Sequence, residues 1–94
     1  MLSNKERSAL RSAAHGLTAI FSVGKSGVTP ELVSAVADAL ASRELIKIQI
    51  LKTSPDEPAE ASETLAGRTR SEVVCVTGRK AVLFKKNPEK SKFS

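Results

Sequence analysis

Aromatic residues and cysteine are scarce in this chain of 94 residues, which has no Trp, no Tyr, three Phe and a single Cys. So few aromatic rings argue against nucleic-acid binding in which bases stack on exposed aromatic side chains. One cysteine excludes a disulfide within the chain and a cysteine-rich metal cluster. No apolar run is long enough for a signal peptide or a membrane span, so we expect a cytoplasmic protein with no membrane partner.

Groups suited to catalysis are equally sparse. Cys75 lies between Val74 and Val76 in an alternating segment, where a buried and unreactive thiol is expected. The single histidine is distant from it along the chain, and the carboxylates show no pairing suited to acid–base chemistry. We therefore predict a protein that is not an enzyme, with no catalytic residue, no metal site, no cofactor and no small-molecule substrate.

Positive charge is in excess, because 15 Lys and Arg residues outnumber 10 Asp and Glu residues and give a net charge of +5. Such an excess favours a polyanionic partner. Acidic residues concentrate between Asp56 and Glu63, whereas cations recur on one face of the first predicted helix, at Arg7, Arg11 and His15. A merely solvated helix face is the alternative interpretation, and His15 is expected to interact with the carbonyls at its own helix end.

Local signals predict the order α-β-α-β-α-β-β. Ser3 and Glu6 form a capping box, followed by an apolar stripe at helical spacing that ends near Gly16 (Ala9, Leu10, Ala13, Ala14, Leu17). Strands are predicted at 18–23, 45–50, 72–77 and 81–85, and further helices from Thr29-Pro30 and over about 58–68. This alternation predicts one compact α/β domain over residues 1–86, with a mixed four-stranded sheet. Residues 87–94 are polar and basic without periodicity, so we expect a flexible tail.

The segment Val23-Gly24-Lys25-Ser26-Gly27 contains the Gly-Lys-Ser of a nucleotide-binding P-loop. That motif also needs a glycine at the position of Ala19, so the loop is too short to wrap a nucleotide and an ATP- or GTP-dependent enzyme is the weakest interpretation. A Gly-x-x-Gly loop between a strand and a helix N-terminus instead suits phosphates of a polynucleotide backbone. For these four residues alone, a plain turn is the simpler alternative.

Four longer segments carry a family resemblance: LSNKERSALR (2–11), VGKSGVTPELV (23–33), ALASRELIKIQIL (39–51) and VVCVTGRKAVLFKK (73–86). Together they resemble the bacterial YhbY proteins, the stand-alone form of the CRM (chloroplast RNA splicing and ribosome maturation) domain. The resemblance implies a fold similar to the C-terminal domain of bacterial translation initiation factor three. It also implies an RNA-binding protein that acts on ribosomal RNA or a pre-50S particle during maturation of the large subunit. We expect the protein to be a monomer.

The resemblance further implies that RNA contacts the GxxG loop and the neighbouring basic surface. The positions that carry over are the loop and the first helix (Gly24, Lys25, Ser26, Gly27; Arg7, Arg11). From the charge pattern we expect Lys5, Arg79 and Lys80 to extend this cationic RNA-binding surface. Phe84 stands where a Tyr is frequent, which removes a hydroxyl. The alternative is a protein-binding adaptor that docks on a ribosomal protein or an assembly factor through the sheet face around Lys47 and Gln49.

Overall fold

The computed structural model describes residues 2–86, so the predicted tail at 87–94 lies outside the described residues. The elements are α1 (Asn4–Ala14), β1 (Ala19–Val23), α2 (Pro30–Arg43), β2 (Leu45–Ile50), α3 (Pro58–Thr69), β3 (Glu72–Thr77) and β4 (Lys80–Phe84). The strands form one mixed sheet in the order β1-β2-β4-β3, in which only β1 and β2 are parallel. Both the element order and the mixed sheet agree with the prediction.

One face of the sheet is closed by α2 and α3. The alternation in β2 directs Ile46, Ile48 and Ile50 to this face, where they pack with Leu40 of α2 and Leu65 of α3. All five side chains are at most 1% exposed. This α2–α3 face therefore holds the main core, and the predicted isoleucine face is confirmed.

The other face is covered only in part, by α1. Leu10 and Ala14 are the buried positions of this helix, and they pack on the sheet residues Leu45, Val74, Val82 and Phe84. The predicted stripe was too wide, since Ala9 and Ala13 are exposed. A helix that lies on a sheet along one line buries only the positions that point straight at it.

The end of α1 also differs from the prediction. The helix stops at Ala14 with His15 as its C-cap, so Leu17 lies in the connection to β1 and is 37% exposed. The His15 cap is right-handed, at φ −56°, and the φ of Gly16 is not positive. Gly16 therefore does not provide the left-handed stop that the sequence suggested.

The predicted starts of α1 and α2 are confirmed by their hydrogen bonds. The Glu6 amide donates to Ser3 Oγ at 3.1 Å, the Ser3 amide donates to Glu6 Oε1 at 3.0 Å, and the Leu32 amide donates to Thr29 Oγ1 at 3.1 Å. The last hairpin is tighter than expected, since β4 already begins at Lys80 and only Gly78 and Arg79 form the turn. None of the helices within residues 2–86 combines the length and hydrophobicity needed to cross a membrane.

Candidate nucleic-acid interface

The GxxG segment forms a tight turn between β1 and α2. The Gly27 amide donates to the Gly24 carbonyl at 2.9 Å, and Lys25 and Ser26 are exposed at the tip. The Leu51 amide donates to the Val23 carbonyl at 2.9 Å, which ties the start of the turn to the end of β2. Within residues 2–86 the amides of Lys25 and Ser26 donate no hydrogen bond, so both N–H groups are available to a ligand.

The two glycines of the turn have different reasons to be glycine. Gly27 has φ +69°, and a Cβ there would lie 3.2 Å from Cγ of Pro55. The fold itself therefore requires Gly27. A Cβ on Gly24 would lie 3.6 Å from Cδ1 of Leu51, an ordinary contact, and its φ is outside the left-handed region. The fold therefore does not require Gly24.

Strand pairing places a line of polar side chains beside this turn. Ser22 pairs with Gln49, Gln49 with Lys80, and Lys80 with Thr77. We name these four residues the polar row. Because Ile48 and Ile50 point into the main core, the alternate position Gln49 and its paired neighbours point to the α1 face. The row thus crosses the whole sheet at the edge where the GxxG turn lies.

Two of the predicted arginines make hydrogen bonds within the protein. Nη1 of Arg7 donates to the carbonyls of Val73 and Val74 at 2.5 and 2.9 Å, where the pairing of β3 with β4 is irregular. Arg79 donates from Nε to the Ile50 carbonyl and from Nη2 to the Leu51 carbonyl, both at 3.0 Å. Arg7 therefore holds α1 against β3, and Arg79 holds the hairpin against the end of β2.

The other predicted cations divide between two places. Lys25 and Lys80 lie at the sheet edge that carries the turn, and both are exposed. Lys5 is also exposed, but it lies at the opposite end of β4, beside Phe84 and Lys86. The structure therefore brings Lys80 and Arg79 to the edge that carries the GxxG turn, and leaves Lys5 apart from it.

Between α1 and the polar row lies an open hollow of about 270 Å³, which we name the cationic hollow. Its lining residues come from α1 and three strands (Arg11, Ala14, His15, Lys47, Cys75, Thr77, Lys80, Val82). Arg11 of α1 and Lys80 of β4 therefore line the same hollow. His15 is the C-cap of α1, and its ring makes no hydrogen bond within residues 2–86.

The acidic segment approaches the turn from the other side. Pro55, which packs against Gly27, belongs to the stretch that precedes α3 and contains Asp56 and Glu57. Glu31 lies in the first turn of α2, so it already compensates part of the positive helix end. The turn therefore has an acidic side towards α3 and a cationic side towards α1, and the charges are less separated than the sequence suggested.

The family model of the CRS1 / YhbY (CRM) domain matches residues 2–85. The chain belongs to this family. Among its relatives, "Probable RNA-binding protein YqeI" of Bacillus subtilis (strain 168) is 40% identical over 89 residues, which are 95% of this chain and 93% of that protein. "Probable RNA-binding protein PA4753" of Pseudomonas aeruginosa is 26% identical over 91 residues, which are 97% of this chain and 88% of that protein.

A solved structure matches the CRM fold of this chain over its whole length. The solution structure of the hypothetical protein SAV1595 from Staphylococcus aureus, "a putative RNA binding protein", has a TM-score of 0.84 and 37% sequence identity, and the match covers 100% of this chain and 98% of that one. The predicted family and fold are thereby confirmed. These relatives are named for RNA binding and not for catalysis, which agrees with the prediction that the chain is not an enzyme.

The CRM domain also presents polar positions that the sequence analysis did not assign to RNA contact. Ser22, Gln49 and Thr77 join the surface through strand register, and Lys47 joins it through the hollow. The alternation of apolar and polar residues along β2 was the sequence signal that placed Lys47 and Gln49 on the open face of the sheet. Within residues 2–86, no group of three or more His, Cys, Asp or Glu side chains is placed to hold a metal ion.

Proposed function

We propose that this CRM-domain protein binds RNA, with the GxxG turn and the polar row in contact with the RNA backbone. The observation that carries the proposal is their position at one sheet edge. There the available amides of Lys25 and Ser26 lie at the same edge as Lys80 and the row of hydroxyl and amide side chains. Backbone amides, lysines and hydroxyls are the usual partners of phosphate oxygens. The family and the names of the relatives support the same function.

The RNA approaches from the α1 side of the turn. On that side lie Lys80 and the cationic hollow, whereas Asp56 and Glu57 follow Pro55 on the other side and would repel phosphate. Gly24 has no side chain, so the RNA strand can come close to the backbone of the turn. Lys25 adds a full positive charge there. Phosphate contacts carry little sequence information, so the protein selects its RNA mainly by shape.

The remaining predicted positions extend the electrostatic surface at different distances. Arg11 contributes from the rim of the hollow, and Lys5 contributes from the far end of α1. Arg7 and Arg79 are already hydrogen-bonded to backbone carbonyls, so they position α1 and the hairpin and add charge to the surface.

The RNA that we propose is ribosomal RNA in a pre-50S particle, bound by a monomer during maturation of the large subunit. The proposed ribosomal role rests on the resemblance to the bacterial YhbY proteins. A protein with this role would be located in the cytoplasm. Sedimentation of the tagged protein with ribosomal particles, followed by crosslink mapping of the RNA, tests the ribosomal role. Absence of the protein from every particle fraction would contradict the ribosomal role but not RNA binding itself.

Charge reversal at the turn tests RNA binding through this site. Lys25→Glu should weaken binding of structured RNA by about tenfold or more, because it removes one phosphate contact and places a repulsive charge there. Arg68→Glu is the matched control, since it gives the same net charge at an exposed position of α3, on the opposite side of the sheet. Fluorescence anisotropy measures both affinities. Equal affinities of the two folded variants would overturn the proposed site.

Salt dependence gives a second measurement. If about 4–6 phosphates are neutralised, the logarithm of the affinity should fall with the logarithm of salt at a slope of about −3 to −5. A slope near zero would show that the protein does not bind the RNA backbone.

A protein-binding adaptor is the second candidate, and one observation favours it. Leu17 before β1 and Ile20 within it are 37% and 38% exposed. Apolar side chains at such a surface suit a protein partner. A partner that stays bound to the purified protein after nuclease treatment, together with no affinity for RNA, would favour this alternative.

A further inference from the structure

The cationic hollow combines an apolar floor with a charged rim. Ala14 and Val82 are buried at the floor. Cys75 beside them is half-buried, so the thiol is less buried than the sequence predicted. Arg11, His15 and Lys80 are exposed, and Lys47 is half-buried. No Asp or Glu of the described residues lines it. A site of this kind suits a flat, uncharged group that is attached to an anion.

The size of the hollow restricts the ligand further. About 270 Å³ is slightly less than the ~300–1,000 Å³ of typical small-molecule sites. It has room for one base with its sugar, and it is too small to enclose a dinucleotide cofactor. The lining contains no Phe, so the Arg11 guanidinium, together with the neighbouring ring of His15, offers the planes on which a base can stack.

We propose that the cationic hollow seats one unpaired base of a bound RNA strand, with the adjoining phosphates held by Lys47 and Lys80. This inference rests on the proposed RNA binding and adds to it a defined position for a nucleotide. The base lies against Cys75, above the buried Ala14 and Val82 and next to Arg11, and the hydroxyl of Thr77 is available to its polar edge.

The path of the RNA strand follows from residues that the polar row and the cationic hollow share. Lys80 and Thr77 belong both to the polar row and to the lining of the hollow. An RNA strand whose phosphates lie on the GxxG turn and the row therefore reaches the hollow without leaving the surface. The paired end of a double helix could not insert a base there, so the proposal requires a single-stranded segment.

The single cysteine of the chain reports directly on this site, because Cys75 lines the hollow. Alkylation of Cys75 by iodoacetamide is followed by mass spectrometry, with the protein free, saturated with a short uridine oligonucleotide, or saturated with inorganic polyphosphate. We expect the oligonucleotide to slow alkylation about fivefold or more by covering the thiol. Polyphosphate binds the cations without a base, so it should slow alkylation by less than about twofold.

A pair of variants tests the role of the rim. Lys47→Met keeps the length and the packing of the side chain but removes its charge. We expect it to reduce oligonucleotide affinity about threefold to tenfold and the salt slope by about one. Arg68→Met on α3 is the matched control and should change neither. Should Lys47→Met fail to fold, the alkylation measurement on the natural sequence still decides the matter.

The outcomes separate this inference from the proposed function. If the oligonucleotide binds and Lys25→Glu weakens it, but Cys75 is alkylated at the free rate, RNA binding stands and the base site is overturned. Equal protection by polyphosphate overturns the base site as well, since phosphate alone then occupies the hollow. If no RNA binds, both proposals fail. Protection of Cys75 in a cell extract that survives nuclease treatment, with none from the oligonucleotide, would show a protein in the hollow and overturn the base site.

Discussion

On the α2–α3 face of the sheet, β2 presents Ile46, Ile48 and Ile50, whereas on the α1 face the same strand presents Lys47 and Gln49 after Leu45. The first face is closed by two helices, and its three isoleucines are at most 1% exposed. The second is closed only where α1 reaches, and its outer edge carries the polar row. The difference shows how a small domain obtains stability from one face and keeps part of the other for a ligand.

The contrast follows from the number of covering helices. α2 and α3 both lie on the first face, whereas α1 alone lies on the second and buries only Leu10 and Ala14. A single helix about 10 Å wide cannot cover four strands. The uncovered positions are therefore free to be polar, and the cations that lie there are not needed to form the core.

Neighbouring residues of β2 provide the largest test of this contrast. Ile48→Ala should lower the free energy of unfolding by about 2–5 kcal/mol, because it leaves a cavity in the closed face. Lys47→Ala, one position earlier, should change it by less than about 1 kcal/mol. Urea denaturation measures both. Similar losses for the two variants would show that the α1 face also carries the stability of the fold.

The two glycines of the turn give the next largest effect. Gly27→Ala should cost about 1–3 kcal/mol, because it forces a side chain into the left-handed region and against Pro55. Gly24→Ala should change stability by no more than about 0.5 kcal/mol and should weaken RNA binding instead. Thermal unfolding and anisotropy on the same samples distinguish the two. A strongly destabilised Gly24→Ala would refute the assignment of Gly24 to the ligand.

The adjacent cations of the hairpin separate structure from binding on a smaller scale. Arg79→Met should lower stability by about 1–2 kcal/mol, since it loses the hydrogen bonds to the Ile50 and Leu51 carbonyls. Lys80→Met removes an exposed charge, so it should leave stability unchanged and weaken RNA binding. If the two variants behave alike in urea denaturation, the bonds of Arg79 contribute nothing to the fold.

The smallest effect concerns the start of α1. The pKa of Glu6 lies below its usual value of 4.5, because the Ser3 amide donates a hydrogen bond to its carboxylate and the Ser3 side chain adds a second interaction. A lowered pKa in the folded state means that the charged form stabilises the fold above pH 4.5, and that this contribution is lost as the pH falls through the lowered value.

The urea midpoint of the natural sequence should therefore exceed that of Glu6→Gln above pH 4.5, and the difference should shrink below it. Because Gln carries no charge at any pH, Glu6→Gln serves as the reference for the natural sequence across the pH range. A difference that stays constant with pH would show that the carboxylate charge does not matter to the cap.

Most of the fold was accessible from the sequence, because its signals are local. The capping box of Ser3 and Glu6, the Thr29-Pro30 helix start and the alternation of β2 each depend on neighbours within a few residues. Two predictions were wrong, the end of α1 and the width of its apolar stripe. Both depend on where the helix meets the sheet, which is a tertiary contact.

The candidate site was only partly accessible for the same reason. The sequence by itself determined the GxxG turn, the cationic character and the polar side of β2, since composition and periodicity do not need a partner. Tertiary structure alone decided that Arg7 and Arg79 bond to carbonyls 66–67 and 28–29 residues away, that Pro55 meets Gly27, and that strand register aligns Ser22, Gln49, Lys80 and Thr77. Such contacts join distant parts of the chain, so only the packed sheet brings them together.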